Sequence, residues 1–169
     1  TELVKMIRKK WAEWSLRPDV TGEFTRPALE RLMMRTWLRD GEVFAQPVRG
    51  HGAGLNADGG VPCWLEALEP GCVTLYSAPG AGLIQGVWLN EWGKPQKYQV
   101  YKNLPISGFL SDTNEISSET MLHLKFARRL HQVSGNSVLS VVVIRLSALQ
   151  AYEDSELLAA RIPEAPGTS

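Results

Sequence analysis

The segment from Thr25 to Gly41 constrains the fold most, because a helix start, an apolar stripe and a helix stop follow one another within it. Thr25 can cap the first turn, and Pro27 falls where a helix makes no use of a backbone N–H. Gly41 suits the left-handed residue that ends many helices, and it follows Asp40. Side chains recur at i, i+3, i+4, i+7 and i+8 to form the stripe of Leu29, Leu32, Met33, Thr36 and Trp37.

A row of arginines lies on another face of this predicted helix: Arg31, Arg35 and Arg39. A basic row on a helix is usually a solvated face. It can also meet a neighbouring subunit or a phosphate backbone, so both interpretations stay open.

A second amphipathic helix is predicted at the start of the sequence, over Thr1 to Trp14. Leu3, Ile7, Trp11 and Trp14 follow spacings of four, four and three, which places them on one face. Pro18 and the Thr21-Gly22 pair then favour a connecting loop.

A long helix is predicted near the other end, capped by Ser137 and running from Val138 to about Ile162. The β-branched run from Val141 to Ile144 lowers helix propensity, so a strand competes there. Pro163 and Pro166 are expected to end the helix and leave residues 163–169 as a disordered tail. One broad apolar face would carry Leu139, Val142, Val143, Leu146 and Leu149.

Strands are predicted in the middle of the sequence, where alternating and β-branched segments are separated by Gly and Pro. Pro47 favours an edge position for the first strand, and Gly93 suits the turn of a β-hairpin. The predicted strands are Glu42–Val48, Cys63–Leu68, Val73–Tyr76, the hairpin pair Gly86–Leu89 and Gln96–Tyr101, and Ile116–Phe126. The fold class expected from this order is α+β, with amphipathic helices around a small, mostly antiparallel sheet with a β-hairpin, ending in a long helix.

Two segments show no regular pattern. Arg49 to Gly60 contains five glycines and favours a mobile loop. A phosphate-binding loop is disfavoured there, since no Lys-Ser/Thr pair follows and no GxGxxG spacing occurs. Leu104 to Asn114 is predicted to be a polar excursion.

Charge and cysteine content exclude several classes of protein. The 18 basic residues balance 18 acidic ones, so any contact with DNA must come from local clusters. The longest apolar candidate, Val138 to Leu149, is too short to cross a bilayer and contains Arg145. Cys63 and Cys72 are too few for a disulfide framework and lack zinc-ligand spacing, so no metal or cofactor is predicted.

The histidines give the sequence its best candidates for chemistry. His123 and His131 flank a basic cluster, but no Ser, Cys or carboxylate stands at a spacing that would complete a triad. The pair Asp40 and Glu42 around Gly41 is explained equally well by a helix stop. We therefore predict no enzyme and expect stability to survive replacement of both histidines by Gln. A small hydrolase that uses one of them remains a rival hypothesis.

Four segments also occur in an order that one protein family shares. They are Trp11-x-x-Trp14 with Asp19-Val20-Thr21-Gly22; Leu38-x-Asp40-Gly41-Glu42-Val43-Phe44; the stretch from Gly86 to Tyr98; and Leu122-His123-Leu124-x-Phe126 with Arg129 and Gln132-x-x-Gly135. Together they resemble the opening of lambda-type bacteriophage portal proteins. The resemblance covers residues 7 to 162. Ser134 departs from it, because the family usually has an arginine there, and Asn90-Glu91 replaces a more usual Asp.

This resemblance implies a structural role. Portal proteins form rings, commonly dodecamers, at one capsid vertex, and double-stranded DNA passes through the centre. The expected partners are therefore copies of the chain itself, double-stranded DNA, the terminase, and head-completion or capsid proteins, with no membrane. The expected locations are the virion capsid vertex and, during assembly, the host bacterial cytoplasm.

The resemblance also sets expectations about domains and surfaces. We expect a portal-like body fragment over 1–162, from a truncated prophage remnant or an excised piece. A small nucleic-acid or protein binding module without catalytic activity is the alternative. The candidate subunit-contact residues are Leu29, Leu32, Met33, Trp37, Leu139, Val142, Leu146 and Leu149. The candidate DNA-contact residues are Arg128, Arg129 and Arg145.

Overall fold

The structure is a computed structural model that describes residues 1–50, 55, 61–102 and 112–161, with helix side chains as far as 158. It divides into two compact units, Thr1–Ser137 and Val138–Ser169. Most of the predicted glycine-rich loop, most of the predicted polar excursion and the predicted tail lie outside the described residues.

All three predicted helices are present, as α1 Glu2–Leu16, α2 Arg26–Asp40 and α3 Ser140–Arg161. Thr25 precedes α2 in an extended conformation, but its hydroxyl makes no capping hydrogen bond. Gly41 ends α2 in the left-handed region, as predicted. The β-branched run in α3 is helical, so the competing strand is wrong.

Helix α3 begins later than predicted, at Ser140 instead of Val138. The N–H of Val143 donates to the carbonyl of Leu139, 2.9 Å away, so the helical pattern starts at Leu139. Ser137 precedes this first turn, and its hydroxyl lies 3.5 Å from the carbonyl oxygen of Leu38. The predicted cap was therefore placed two residues too early.

The described residues form two antiparallel sheets. The three-stranded sheet has the order β2-β1-β7 and the four-stranded sheet the order β3-β4-β5-β6. The strands are β1 Glu42–Arg49, β2 Cys63–Leu68, β3 Leu83–Ile84, β4 Val87–Leu89, β5 Pro95–Tyr101, β6 Thr113–Ser117 and β7 Leu122–Lys125. The α+β class is therefore confirmed, with two small sheets where the sequence suggested one.

Strand β1 is central, so its predicted edge position is wrong. It pairs with β2 from Phe44 to Arg49 and with β7 from Glu42 to Ala45. Pro47 lies beyond the last residue that β7 pairs, where β1 has one neighbour only. The missing N–H of proline is therefore tolerated because no second strand pairs there, although β1 is a central strand.

The predicted hairpin is confirmed as β4 and β5. Gly93 has a positive φ of 75° in the turn, and Oδ1 of Asn90 accepts hydrogen bonds from the N–H groups of Trp92 and Lys94. The sequence missed β3, which pairs with β4 through a turn at Gln85 and Gly86.

Two predicted strands are wrong. Val73–Tyr76 is not a strand, because a 3₁₀ turn at Pro70–Cys72 precedes it and only Val73 forms a bridge, to Val100. The single strand predicted for Ile116–Phe126 is two strands in different sheets. The polar turn at residues 118–120 separates β6 from β7 and sends the chain from one sheet to the other.

The main core cluster joins the two sheets. Phe44 of β1 meets Tyr98 of β5 edge to face, with ring centroids 5.8 Å apart. Alternate residues of β5 face inward, as expected for a half-buried strand. The buried members are Phe44, Val73, Val87, Tyr98, Val100 and Met121.

Gly41 links α2 to β1 under two separate constraints. Its φ is +91°, and a Cβ there would lie 2.6 Å from the carbonyl oxygen of Asn136, closer than real Cβ atoms come. Its carbonyl also accepts a hydrogen bond from the N–H of Phe126 at 2.8 Å. Only glycine allows the segment 126–137 to approach the backbone this closely.

We predict that Gly41→Ala destabilises the chain far more than Gly22→Ala. Gly22 also has a positive φ, of +71°, but nothing lies within 4 Å of the position a Cβ would take, so it isolates the cost of backbone strain. We expect that cost to be roughly 1–2 kcal/mol at Gly22. At Gly41 the steric clash adds to it, for a loss of about 3 kcal/mol or more. Denaturant unfolding measures both, and equal losses would contradict the close approach.

Candidate functional site

Two ionisable side chains of the first unit, Glu42 and His123, meet each other away from solvent. Glu42 opens β1 and His123 lies in β7, so the pairing of these strands brings together residues 81 positions apart. Nε2 of His123 lies 3.0 Å from Oε2 of Glu42, and the two side chains are only 7% and 11% exposed. Two ionisable groups are therefore taken out of water as a pair.

Aromatic rings enclose this pair. The imidazole of His123 stacks on Phe44 with ring centroids 4.2 Å apart. Nδ1 of His123 lies 3.3 Å from Oη of Tyr98. Burial, and then the nearby carboxylate of Glu42, raise the pKa of Tyr98. The phenol therefore stays protonated and can donate to Nδ1, while Nε2–H donates to the carboxylate.

Glu42 also holds the segment that follows β7. Its Oε2 accepts a hydrogen bond from the N–H of Gly135 at 2.6 Å. A Cβ on Gly135 would lie 2.6 Å from the carbonyl carbon of Gly41, again too close for a side chain. Glu42 can therefore reach this N–H only because glycine stands at position 135.

Lys125 and Gln132 complete the fixation of this segment. Nζ of Lys125 donates to the carbonyls of Gln132 and Val133 at 2.5 and 2.7 Å. Burial lowers the pKa of Lys125, and the charge of Glu42 opposes that shift. Oε1 of Gln132 accepts from the N–H of Arg128 at 2.8 Å, and its Nε2 donates to the carbonyl of Ser134 at 2.6 Å. Residues 126–137 therefore have a defined path without being a helix or a strand.

Three of the segments that carried the family resemblance converge here. Glu42 comes from the segment around Asp40-Gly41, Tyr98 from the hairpin, and His123, Gln132 and Gly135 from the last segment. Residues from three of these segments therefore form one buried cluster. The family model described as "Phage portal protein, lambda family" matches residues 1–165. The chain belongs to the lambda family of phage portal proteins.

A comparison with curated individual proteins gave no match. The family match confirms the resemblance seen in the sequence and supports a structural role in the phage portal and in virion assembly.

The cluster of this portal chain does not assemble a catalytic pair of histidines. His131 is exposed and has a positive φ of 60°. Its Nδ1 lies near the hairpin turn, 3.7 Å from the position that a Cβ on Gly93 would take. His123 is instead satisfied by Glu42 and Tyr98. Within the described ranges, no three metal-ligating side chains are grouped, and no helix is long and apolar enough to cross a membrane.

The candidate contact residues of α2 have different surroundings. Leu29 is buried, with only 4% of its surface exposed, so it packs inside the first unit. Trp37 stacks on Phe126 with ring centroids 4.2 Å apart. Met33 is half-buried, and Leu32 is exposed at 38%. Of these four candidates on α2, therefore, Leu32 offers the most surface to a partner.

The other candidates are exposed. In the second unit, the side chains at Leu139, Val142, Leu146 and Leu149 all face solvent. Arg128 and Arg129 lie on the segment after β7 and Arg145 on α3; all three are exposed and form no ion pair with any described residue.

None of the individually named contact candidates lies on α1. Trp14 anchors this helix by donating from Nε1 to the carbonyl of Cys63 at 2.7 Å, and Arg26 lies over the ring of Trp11. Leu3, Ile7 and Trp11 remain more than half exposed. Ile7 and Trp11 also line an open apolar groove of about 400 Å³. The sequence showed this apolar stripe, and the structure shows that it stays exposed.

We predict that His123→Ala destabilises the chain by roughly 3 kcal/mol or more, because the Glu42 carboxylate stays buried without its partner. His131→Ala should change stability by no more than about 0.5 kcal/mol, since His131 is exposed. Denaturant unfolding of the two variants measures this, and similar small effects would contradict a buried pair.

We also predict that Tyr98→Phe removes a loss of stability at alkaline pH. The folded-state pKa of Tyr98 is raised, so the folded chain holds the phenol proton more tightly than the unfolded chain. That contribution is complete below about pH 10, the ordinary value for tyrosine, and is lost as the pH rises further. Unfolding midpoints measured across this range should fall more steeply for the wild type. Lys125 is present in both proteins, so its contribution cancels in the comparison. Parallel curves for the two proteins would contradict the burial of Tyr98.

Proposed function

We propose that this chain is a structural subunit of a phage portal ring through which double-stranded DNA is packaged and ejected. The observation that carries the proposal is the match of the portal family to residues 1–165, nearly the whole chain. A stand-alone binding module would not require a match of that extent, so we do not favour it.

The exposed apolar surfaces support assembly. Soluble monomers rarely leave long apolar stripes in water, and such stripes mark interaction sites. Helix α1 presents one in the first unit and α3 presents another in the second, where the apolar side chains from Leu139 to Leu158 are exposed. Contacts between different surfaces of successive copies close into a ring when the rotation between copies allows it.

The buried polar cluster fits a role without chemistry. His123 and Glu42 are matched to each other, to Tyr98 and to Gly135, and they fix the path of the chain. A catalytic base instead needs access to a substrate proton. We therefore propose that the chain is not an enzyme.

We propose that DNA meets Arg128, Arg129 and Arg145, which are exposed and form no ion pair within the described residues. The chain as a whole carries equal numbers of basic and acidic residues. A channel with few phosphate contacts lets DNA slide, because dense contacts would bind it tightly. The further partners we propose are the terminase and the head-completion or capsid proteins. The locations are the capsid vertex and, during assembly, the host bacterial cytoplasm.

We predict a solution mass that is a multiple of 18.7 kDa and rises with concentration. Light scattering after size exclusion, over a concentration series, measures it. Leu146→Asp with Leu149→Asp should lower the mass, because charge on an apolar contact surface opposes its burial. Leu75→Asp with Trp92→Asp, at exposed apolar sites outside the helices, is the matched control. A wild-type mass of 18.7 kDa at every concentration would count against the ring.

A further inference from the structure

We propose that α1 of one copy packs along α3 of a neighbouring copy, and that opposite charges beside the two apolar stripes select this pairing. The inference rests on the proposed self-assembly and names the contact that builds it. It concerns contacts between copies only.

Helix α1 supplies a basic apolar surface. Leu3, Ile7 and Trp11 lie on one face, and the helical period places Arg8 on one side of this stripe and Lys10 on the other. Lys10 also lines the apolar groove. Among the described residues Arg8 forms no ion pair, whereas Lys10 contacts Glu13 at 2.9 Å in a pair that stays partly exposed. An exposed pair of this kind is weak and can exchange partners.

Helix α3 supplies the acidic counterpart. Spacings of four, three and eight place one set of exposed apolar side chains on a single face: Val142, Leu146, Leu149 and Leu157. Glu153 falls on the same face, and the helical period places Glu156 on one side of it and Asp154 on the other. These three side chains are exposed, and none of their carboxylates forms an ion pair with a described residue.

The charges discriminate between the possible pairings. Two α1 helices side by side would bring basic residues together. Two α3 helices aligned over residues 153–156 would bring acidic residues together, and Arg145 lies on the same flank as Glu156 but nearer the start of α3. Like charges across an interface disfavour the wrong partner, whereas opposite charges favour the right one. The apolar stripes therefore supply the contact area, and the charges direct α1 to α3.

The same pairing also has the symmetry that a ring requires. A contact of one helix with its own copy is self-complementary and stops at a dimer. A contact of α1 with α3 joins two different surfaces, so a pair of copies that makes it once has one free α3 and one free α1 at its two ends. Each pair can therefore add further copies until the ring closes.

Charge reversal tests the proposal on the full 169-residue chain. One variant carries Arg8→Glu and Lys10→Glu, and the other carries Asp154→Lys and Glu156→Lys. Each variant alone should need at least about a tenfold higher concentration to assemble than the wild type. An equimolar mixture should assemble again, because each reversed helix then meets an opposite charge on the other variant. A chain that carries both pairs of changes should also assemble alone.

Two control variants change the net charge equally at other exposed positions. Arg49→Glu with Lys94→Glu matches the α1 variant, and Glu91→Lys with Glu119→Lys matches the α3 variant. Both should assemble like the wild type. Circular dichroism verifies that each variant keeps its helices.

The outcomes separate the contact from the proposed function. If the wild type assembles and neither reversal weakens it, the α1–α3 contact is wrong and the ring stands. If the reversals act but neither the mixture nor the combined variant restores assembly, the charges do not face each other and the contact is again wrong. A wild type that stays monomeric overturns the ring and the contact together.

Discussion

A carboxylate that leaves water must find hydrogen-bond donors, and this requirement at Glu42 organises the first unit of the chain. Its donors come from His123 on a neighbouring strand and from the backbone of Gly135. Because an unpartnered buried charge is very costly, β1, β7 and the segment after β7 must form together. The aromatic rings of Phe44 and Tyr98 close over the pair and connect it to the core between the sheets.

This arrangement explains why two glycines stand beside the cluster. Gly41 and Gly135 lie in segments that approach so closely that a side chain on either would collide with the backbone of the other segment. The short distance allows one carboxylate to reach two donors. The packing, the hydrogen bonds and the backbone conformation therefore depend on one another. A single substitution at Gly41, Glu42 or Gly135 would disrupt all three.

Local patterns predicted the helices well and the sheet poorly. Helix α2 was predictable because its stripe, its proline and Gly41 all act within a few residues of one another. The break between β6 and β7 depends on which sheet each half joins, and that choice is made by distant residues. The partner of His123 could not be predicted for the same reason, because Glu42 lies 81 residues away and only the pairing of β1 with β7 brings the two together. Pro47 is a further example. It marks a position where β1 has only one paired neighbour, as its missing N–H suggested, but β1 as a whole is the central strand and not an edge strand.

The first unit thus encloses its ionisable pair, whereas α1 and α3 leave apolar faces exposed. Aromatic rings and the backbone of Gly135 close off that pair. The outward stripes of α1 and α3 lower their free energy only when another surface covers them. In the proposed contact, basic residues beside the α1 stripe face acidic residues beside the α3 stripe. The proposed assembly therefore depends on the two helices, and the buried cluster stabilises the unit that presents α1.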